Sequence, residues 1–211
     1  MGNPTNLPGD LVVPGDARIA GSISPPLARS NVLAVAENQT FTIPMNIWRE
    51  HDDYATVLDG TAVANNHLAV VGGTHATNAP SLQTADFGGD GLQTWYARGE
   101  IVLPWNYVAA QTVTIRVHGG MLTTIASVSC LVDLIVCKSD KDSTASADIC
   151  ATAADSINSL VFADIDFTIT PSSLSPGDVL DVAIAVATND ATNLGVMIAC
   201  IGSVQLLCDV R

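Results

Sequence analysis

The chain has 211 residues, 48% hydrophobic and 14% charged, which is enough apolar material for a core and excludes wholesale disorder. Eight Lys and Arg against 21 Asp and Glu give a formal net charge of −13, so the chain should repel nucleic acid and cannot grip an anionic membrane. Aromatics make up only 5%, so the core must be built mainly from Ala, Val, Ile and Leu, which favours thin sheets over large pockets.

The first element is "GDLVVPGDARIAGSISPP" (9–26), in which Gly9, Gly15 and Gly21 fall at hexad spacing among Leu11, Val13, Ala17, Ile19 and Ile23. Three hexads make about one coil of a hexapeptide β-helix, too little to bury these side chains within one arm. Arms from three chains around a threefold axis would bury them and remove exposed strand edges. A plain hairpin turning at Pro14–Gly15 against its own domain is the alternative. Leu11, Val13, Ile19 and Ile23 are therefore the candidate contact residues of an arm over 1–30. Pro25 and Pro26 cannot continue a central strand and mark the boundary with a body over 31–211.

Within the body, "NQTFTIP" (38–44) and "HLAVVGG" (67–73) read as strands. The stretches 45–60 and 74–91 read as loops or short strands, and 145–160 as a possible helical turn. From residue 94 the alternation is regular: strands are expected over 94–104, 112–120, 127–140, 160–170 and 177–190 and through the closing "VMIACIGSVQLLCDVR". About eight strands at this spacing predict an all-β fold, an antiparallel β-sandwich of jelly-roll type, with an up-and-down barrel second. No apolar run reaches about 18 residues, so no span is expected, and "MGNPTNLPGD" lacks the marks of a signal peptide. A soluble protein made in a cytoplasm is the expectation.

The cysteines, Cys130, Cys137, Cys150, Cys200 and Cys208, are odd in number and form no CxxC pair. Cys130 and Cys137 should face opposite sides of one strand. Cys200 and Cys208 should share a face roughly 26 Å apart. Neither pair could close a disulfide in an extended strand, so small buried thiols are expected.

Chemistry is sparse. "REHDDY" (49–54) gathers Glu50, His51, Asp52 and Asp53, which could ligate a divalent ion, but neighbours in a strand diverge and a solvated loop is the better expectation. "DFGGDG" (86–91) lacks EF-hand spacing and a P-loop Lys. His67, His75 and His118 stand alone in the sequence, and Asp164 and Asp166 form an ordinary solvated strand face. Trp95 and Trp105 should close the ends of the sandwich; Trp48, Trp95, Trp105 and Tyr107 are the aromatics that a glycan site could use. No catalytic residue, cofactor or metal site is expected.

The string "NLPGDLVVPGDARIAGSISPPLARSNV" (6–32) resembles the start of a group of tailed-bacteriophage virion proteins and prophage-borne relatives. The resemblance continues through 68–86, 107–124, 150–160, 163–186 and "LLCDVR" (206–211), with the five cysteines standing where Ala, Val or Leu is expected. It implies a structural, non-enzymatic phage protein. The foremost role is capsid decoration: a homotrimer cementing the outer surface of the shell through the major capsid protein, with Leu11, Val13, Ile19 and Ile23 at the trimer axis or against the shell. The second is a tail-fibre or receptor-binding sandwich recognising a bacterial surface glycan. A carbohydrate-active jelly-roll enzyme is the remote third.

Overall fold

The computed structural model describes residues 37–60, 66–72, 75–86, 91–123, 126, 128–139, 142–191 and 196–211. By its contacts the chain divides into Met1–Ala34 and Val35–Arg211, and the described residues all belong to the second unit. Leu11, Val13, Ile19 and Ile23, and with them the expectation of a threefold arm, lie outside the described residues.

The described residues form ten strands: β1 (Glu37–Ile43), β2 (Ala69–Val71), β3 (Ser81–Gln83), β4 (Gly91–Val102), β5 (Val113–Met121), β6 (Ser129–Ser139), β7 (Asp155–Ser156), β8 (Ala163–Ile169), β9 (Val179–Asp190) and β10 (Ala199–Val210). One sheet has the order β2-β3-β10-β5-β8, with β1 also paired to β10; the other has the order β4-β9-β6-β7. Every ladder between strands is antiparallel. From β3 onward the orders 3-10-5-8 and 4-9-6-7 are those of a jelly roll. An up-and-down barrel would pair strands adjacent in sequence, and among β3–β10 only β6 and β7 do so.

The period-2 pattern is what the sheets bury. Trp95, Ala97 and Ile101 of β4, Val132, Leu134 and Val136 of β6, and Leu180, Val182, Ile184 and Val186 of β9 meet Val113, Ile115 and Val117 of β5, Phe167 of β8, and Val204 and Leu206 of β10 in one core. The aliphatic character expected from composition holds, with Trp48, Trp95 and Phe167 as large insertions.

Three local expectations are corrected. A bulge between Ile201 and Ser203 shifts the β10–β5 register. Cys200 therefore lies opposite Gly120, on the face away from the core, whereas Cys208 points into it; both are still buried. Trp95 is core, but Trp105 does not cap the sandwich: it is 85% exposed on the loop after β4. Residues 145–160 hold no helical turn; they run extended, bridging at Ala145 and Cys150 and pairing through β7.

Two glycines are required by close approach. A Cβ on Gly120 would lie 2.8 Å from Phe162 Cδ2. One on Gly99 would lie 2.9 Å from Trp48 Cε3 and 3.2 Å from Ile47 Cδ1. Gly99 thus leaves the room in β4 that seats the fully buried Trp48, the residue from which the loop over 49–57 departs.

Candidate functional site

The outer face of the four-stranded sheet carries the side chains that alternate with the core: Tyr96, Arg98 and Glu100 on β4, Asp181, Ala183 and Ala185 on β9, and Ile135 and Cys137 on β6. The register sets Arg98 opposite Ala183 and Glu100 opposite Asp181. Small alanines on the central strand leave a floor, and larger neighbours form the walls.

One wall is added by two segments docked on the free edge of β4. Arg49 N–H donates to the Arg98 carbonyl and Arg98 N–H to the Arg49 carbonyl, at 2.8 and 3.0 Å. Tyr96 N–H donates to the Asn66 carbonyl and Leu68 N–H to the Tyr96 carbonyl, both at 2.8 Å. Asn66 has φ 63°, a left-handed conformation that Asn tolerates, and the turn there presents His67 to the 49–54 loop. These backbone bonds satisfy the edge of β4 and bring His51, Asp52, Tyr54 and His67 beside Tyr96 and Arg98.

Three depressions result, sharing walls. The first, about 200 Å³, is lined by His51, Asp52, Asn66, His67 and Tyr96. The second, about 250 Å³, shares His51 and adds Arg98, Ile135, Cys137, Asp181 and Ala183. The third, about 200 Å³, shares Arg98 and Asp181 and ends at Glu100, Ser139, Ser143 and Thr144. Together they form a groove that follows β4 from Tyr96 to Glu100, about 13 Å at strand rise. A larger depression of about 550 Å³ is lined, among the described residues, by the exposed loop from His75 to Pro80.

The electrostatics of the groove are largely settled internally. Arg98 donates from Nε to Asp181 Oδ1 at 2.8 Å and from Nη2 to Asp181 Oδ2 at 2.5 Å. Those bonds push the Arg98 pKa further up. Tyr54 lies over the guanidinium at 5.1 Å from ring centroid, and burial raises its own pKa. His51 meets Tyr96 edge to face at 4.8 Å. Burial, with the Arg98 charge second, holds His51 below its ordinary value, so it is neutral at pH 7.

Buried beneath this wall, His67 faces Asp52 Oδ1 at 3.1 Å and Glu50 Oε2 at 3.5 Å through Nε2. One ligand atom from each of Glu50, Asp52 and His67 falls within 4.8 Å of the others, a spacing a metal ion could use. The tautomer argues otherwise. His51 N–H donates to His67 Nδ1 at 3.4 Å, which leaves the ring proton on Nε2, aimed at the carboxylates. A metal ligand would need the Nε2 lone pair and a proton on Nδ1, where another N–H already points. Nε2 makes no aligned hydrogen bond, so its attraction to the two carboxylates is Coulombic. The cluster ties the 49–54 loop to the 66–68 segment.

The sequence reading missed this clip because His67 lies outside "REHDDY"; the alternating partner on β4 that joins them is Tyr96. It also left His118 alone, whereas His118 Nδ1 lies 2.6 Å from Asp164 Oδ1 on the outer face of the other sheet. There Arg116 binds both oxygens of Asp166, at 2.7 and 2.8 Å. Ser203 is the register neighbour of His118 on β10 but makes no hydrogen bond to it, so no nucleophile is assembled. Of the aromatics offered for a glycan site, Trp48, Trp95 and Tyr107 are buried and only Trp105 is exposed; the tyrosine that lines the groove is Tyr96.

No protein-family model matches the sequence. No curated protein matches it. Among solved structures, the chain is similar to the CBM22-2 xylan-binding domain from Paenibacillus barcinonensis Xyn10C, with 14% identity over 78% of this chain and 93% of that one and a TM-score of 0.43. The xylan-binding module CBM15 matches at 15% identity over 82% of this chain and 97% of that one, TM-score 0.41. A Family 16 Carbohydrate Binding Module-2 matches at 12% over 62% and 78%, TM-score 0.35. At these identities and TM-scores the likenesses carry no argument for a ligand, and the β-sandwich class rests on the two antiparallel sheets themselves.

Proposed function

We propose that the sandwich is a non-catalytic glycan-binding module, the receptor-contacting role among those that the phage-protein resemblance implies. The groove along β4 is the observation that carries this reading. It combines the aromatic rings of Tyr96 and His51 with an aliphatic floor at Ala183 and Ile135 and a few convergent polar groups. The carboxylate in its middle, Asp181, has both oxygens occupied by Arg98, which suits a fixed recognition surface and not a proton donor or nucleophile. The test is binding of the full chain to bacterial envelope preparations before and after periodate oxidation of vicinal diols. Binding abolished by periodate and by Tyr96→Ala supports the reading; binding indifferent to both rejects it.

Capsid decoration is the second reading, favoured by the hexad repeat over residues 9–26. A homotrimer on the outside of the shell would engage the major capsid protein at three sites at once, raising the effective concentration of the later contacts to about the millimolar range. Particles lacking the protein should then release DNA at a lower temperature than complete ones. Equal release temperatures, with density for the protein only at the tail, leave the glycan-binding role.

A further inference from the structure

Resting on the glycan-binding reading, we infer that the groove takes an uncharged glycan chain lying parallel to β4 and β9, and excludes chains bearing carboxylates. The direction comes from the way the depressions are joined. The first shares His51 with the second, and the second shares Arg98 and Asp181 with the third, so the three follow one another along β4, the middle one widening over β9 to Ile135 and Cys137 on β6. Its three stations are Tyr96, Arg98 and Glu100, successive outward residues of β4.

The charge selection comes from what is already paired. Asp52, Glu100 and Asp181 line the groove, with Glu50 just behind, and among the described lining residues the single Lys or Arg is Arg98. Two of its nitrogens are committed to Asp181 and its face is covered by Tyr54. His51 adds no positive charge at neutral pH. Lys138 is held by Asp178 at 3.1 Å, and Arg49, whose Nη1 donates to the carbonyls of Asn46 and Trp48, does not line the three depressions. A uronate or sialate would therefore lose water beside the carboxylates of Asp52 and Glu100 and, among the described lining residues, meet no cation without a carboxylate partner. Sugar hydroxyls face the opposite situation: Asp52 and Glu100 are exposed acceptors that a hydroxyl can donate to.

The test is affinity electrophoresis of the full chain through gels containing xylan, mixed-linkage β-glucan, polygalacturonate or polysialic acid, beside the variants Tyr96→Ala, Glu100→Trp and Asp166→Asn. Retardation by a neutral polymer, and not by the two acidic ones, is expected. Tyr96→Ala and Glu100→Trp, at opposite ends of the groove, should each lower that affinity at least tenfold. Asp166→Asn, on the other sheet, should leave it unchanged. Retardation by an acidic polymer that Tyr96→Ala abolishes overturns the charge selection while glycan binding stands. An unchanged affinity in Glu100→Trp, which alters an exposed side chain, overturns the direction. No retardation by any of the four, together with periodate-insensitive envelope binding, removes the glycan reading itself.

Discussion

Replacing Gly99 by Ala tests whether the groove depends on how β4 seats Trp48. The added methyl carbon would sit 2.9 and 3.1 Å from Trp48 Cε3 and Cζ3 and 3.2 Å from Ile47 Cδ1, closer than carbon atoms pack. Trp48 is wholly buried and its Nε1 has no hydrogen-bond partner among the described residues, so packing alone positions the ring. Overpacking of this kind costs about 1–3 kcal/mol. The loss of glycine freedom in the unfolded chain offsets about 0.5–1 kcal/mol of that. A net cost of about 1–2 kcal/mol lowers Tm by roughly 2–8 °C in a domain of this size. The displacement is transmitted to Arg49, which shares two backbone bonds with Arg98, and so to His51 and Tyr54. Binding to periodate-sensitive envelope sites should accordingly fall further than stability does. Urea unfolding followed by tryptophan fluorescence gives the stability term, and the same preparation gives the binding term. In a Trp48→Leu background the added methyl has room, so Gly99→Ala should cost less there by about 0.5 kcal/mol or more. An unchanged unfolding midpoint and unchanged binding in Gly99→Ala, or equal costs in both backgrounds, would refute the account of Trp48 as the anchor.

The remaining expectations concern thiols, pH and surface pairing. All five cysteines are free, three of them buried, and burial raises Cys130 and Cys208 to about 11, so a thiol reagent at pH 8 should titrate those two and Cys200 only after denaturation; rapid native reaction of all five would contradict this. The folded-state pKa of His51 is depressed, so its contribution to stability is present above the unfolded value of about 6.5 and is lost as pH falls through the folded one. Stability of wild type should thus drop between neutral pH and about pH 5 more than that of His51→Gln; parallel curves would show that His51 does not titrate differently on folding. Arg116 lowers the Asp166 pKa, so that pair contributes above about pH 4 and fades on acidification, and its Asp166→Asn variant should lose little stability, less in high salt.

Sequence alternation determined the strands because it records which side of each strand is dry. Val113, Ile115 and Val117 of β5, and Leu180, Val182, Ile184 and Val186 of β9, are legible as inward faces before any partner is known, since a half-buried strand admits apolar residues only at every second position. The sandwich class follows from counting such strands. The exceptions are places where a single strand's pattern does not contain the cause. Gly202 carries no mark that it is the extra residue of a bulge, so the alternation alone puts Cys200 on the wrong face. Trp105 is as hydrophobic in the loop as it would be in a core, and only the path after Pro104 leaves it in solvent. The candidate site was the least legible part. Asp181 reaches Arg98 across 83 residues, and His67 reaches Glu50 and Asp52 because both segments dock on one edge of β4. Those meetings depend on strand order, 4-9-6-7 in one sheet against 3-10-5-8 in the other, and order is set by which pairings together bury all the inward faces. That is a property of the assembled sheets, and no stretch of the chain expresses it locally.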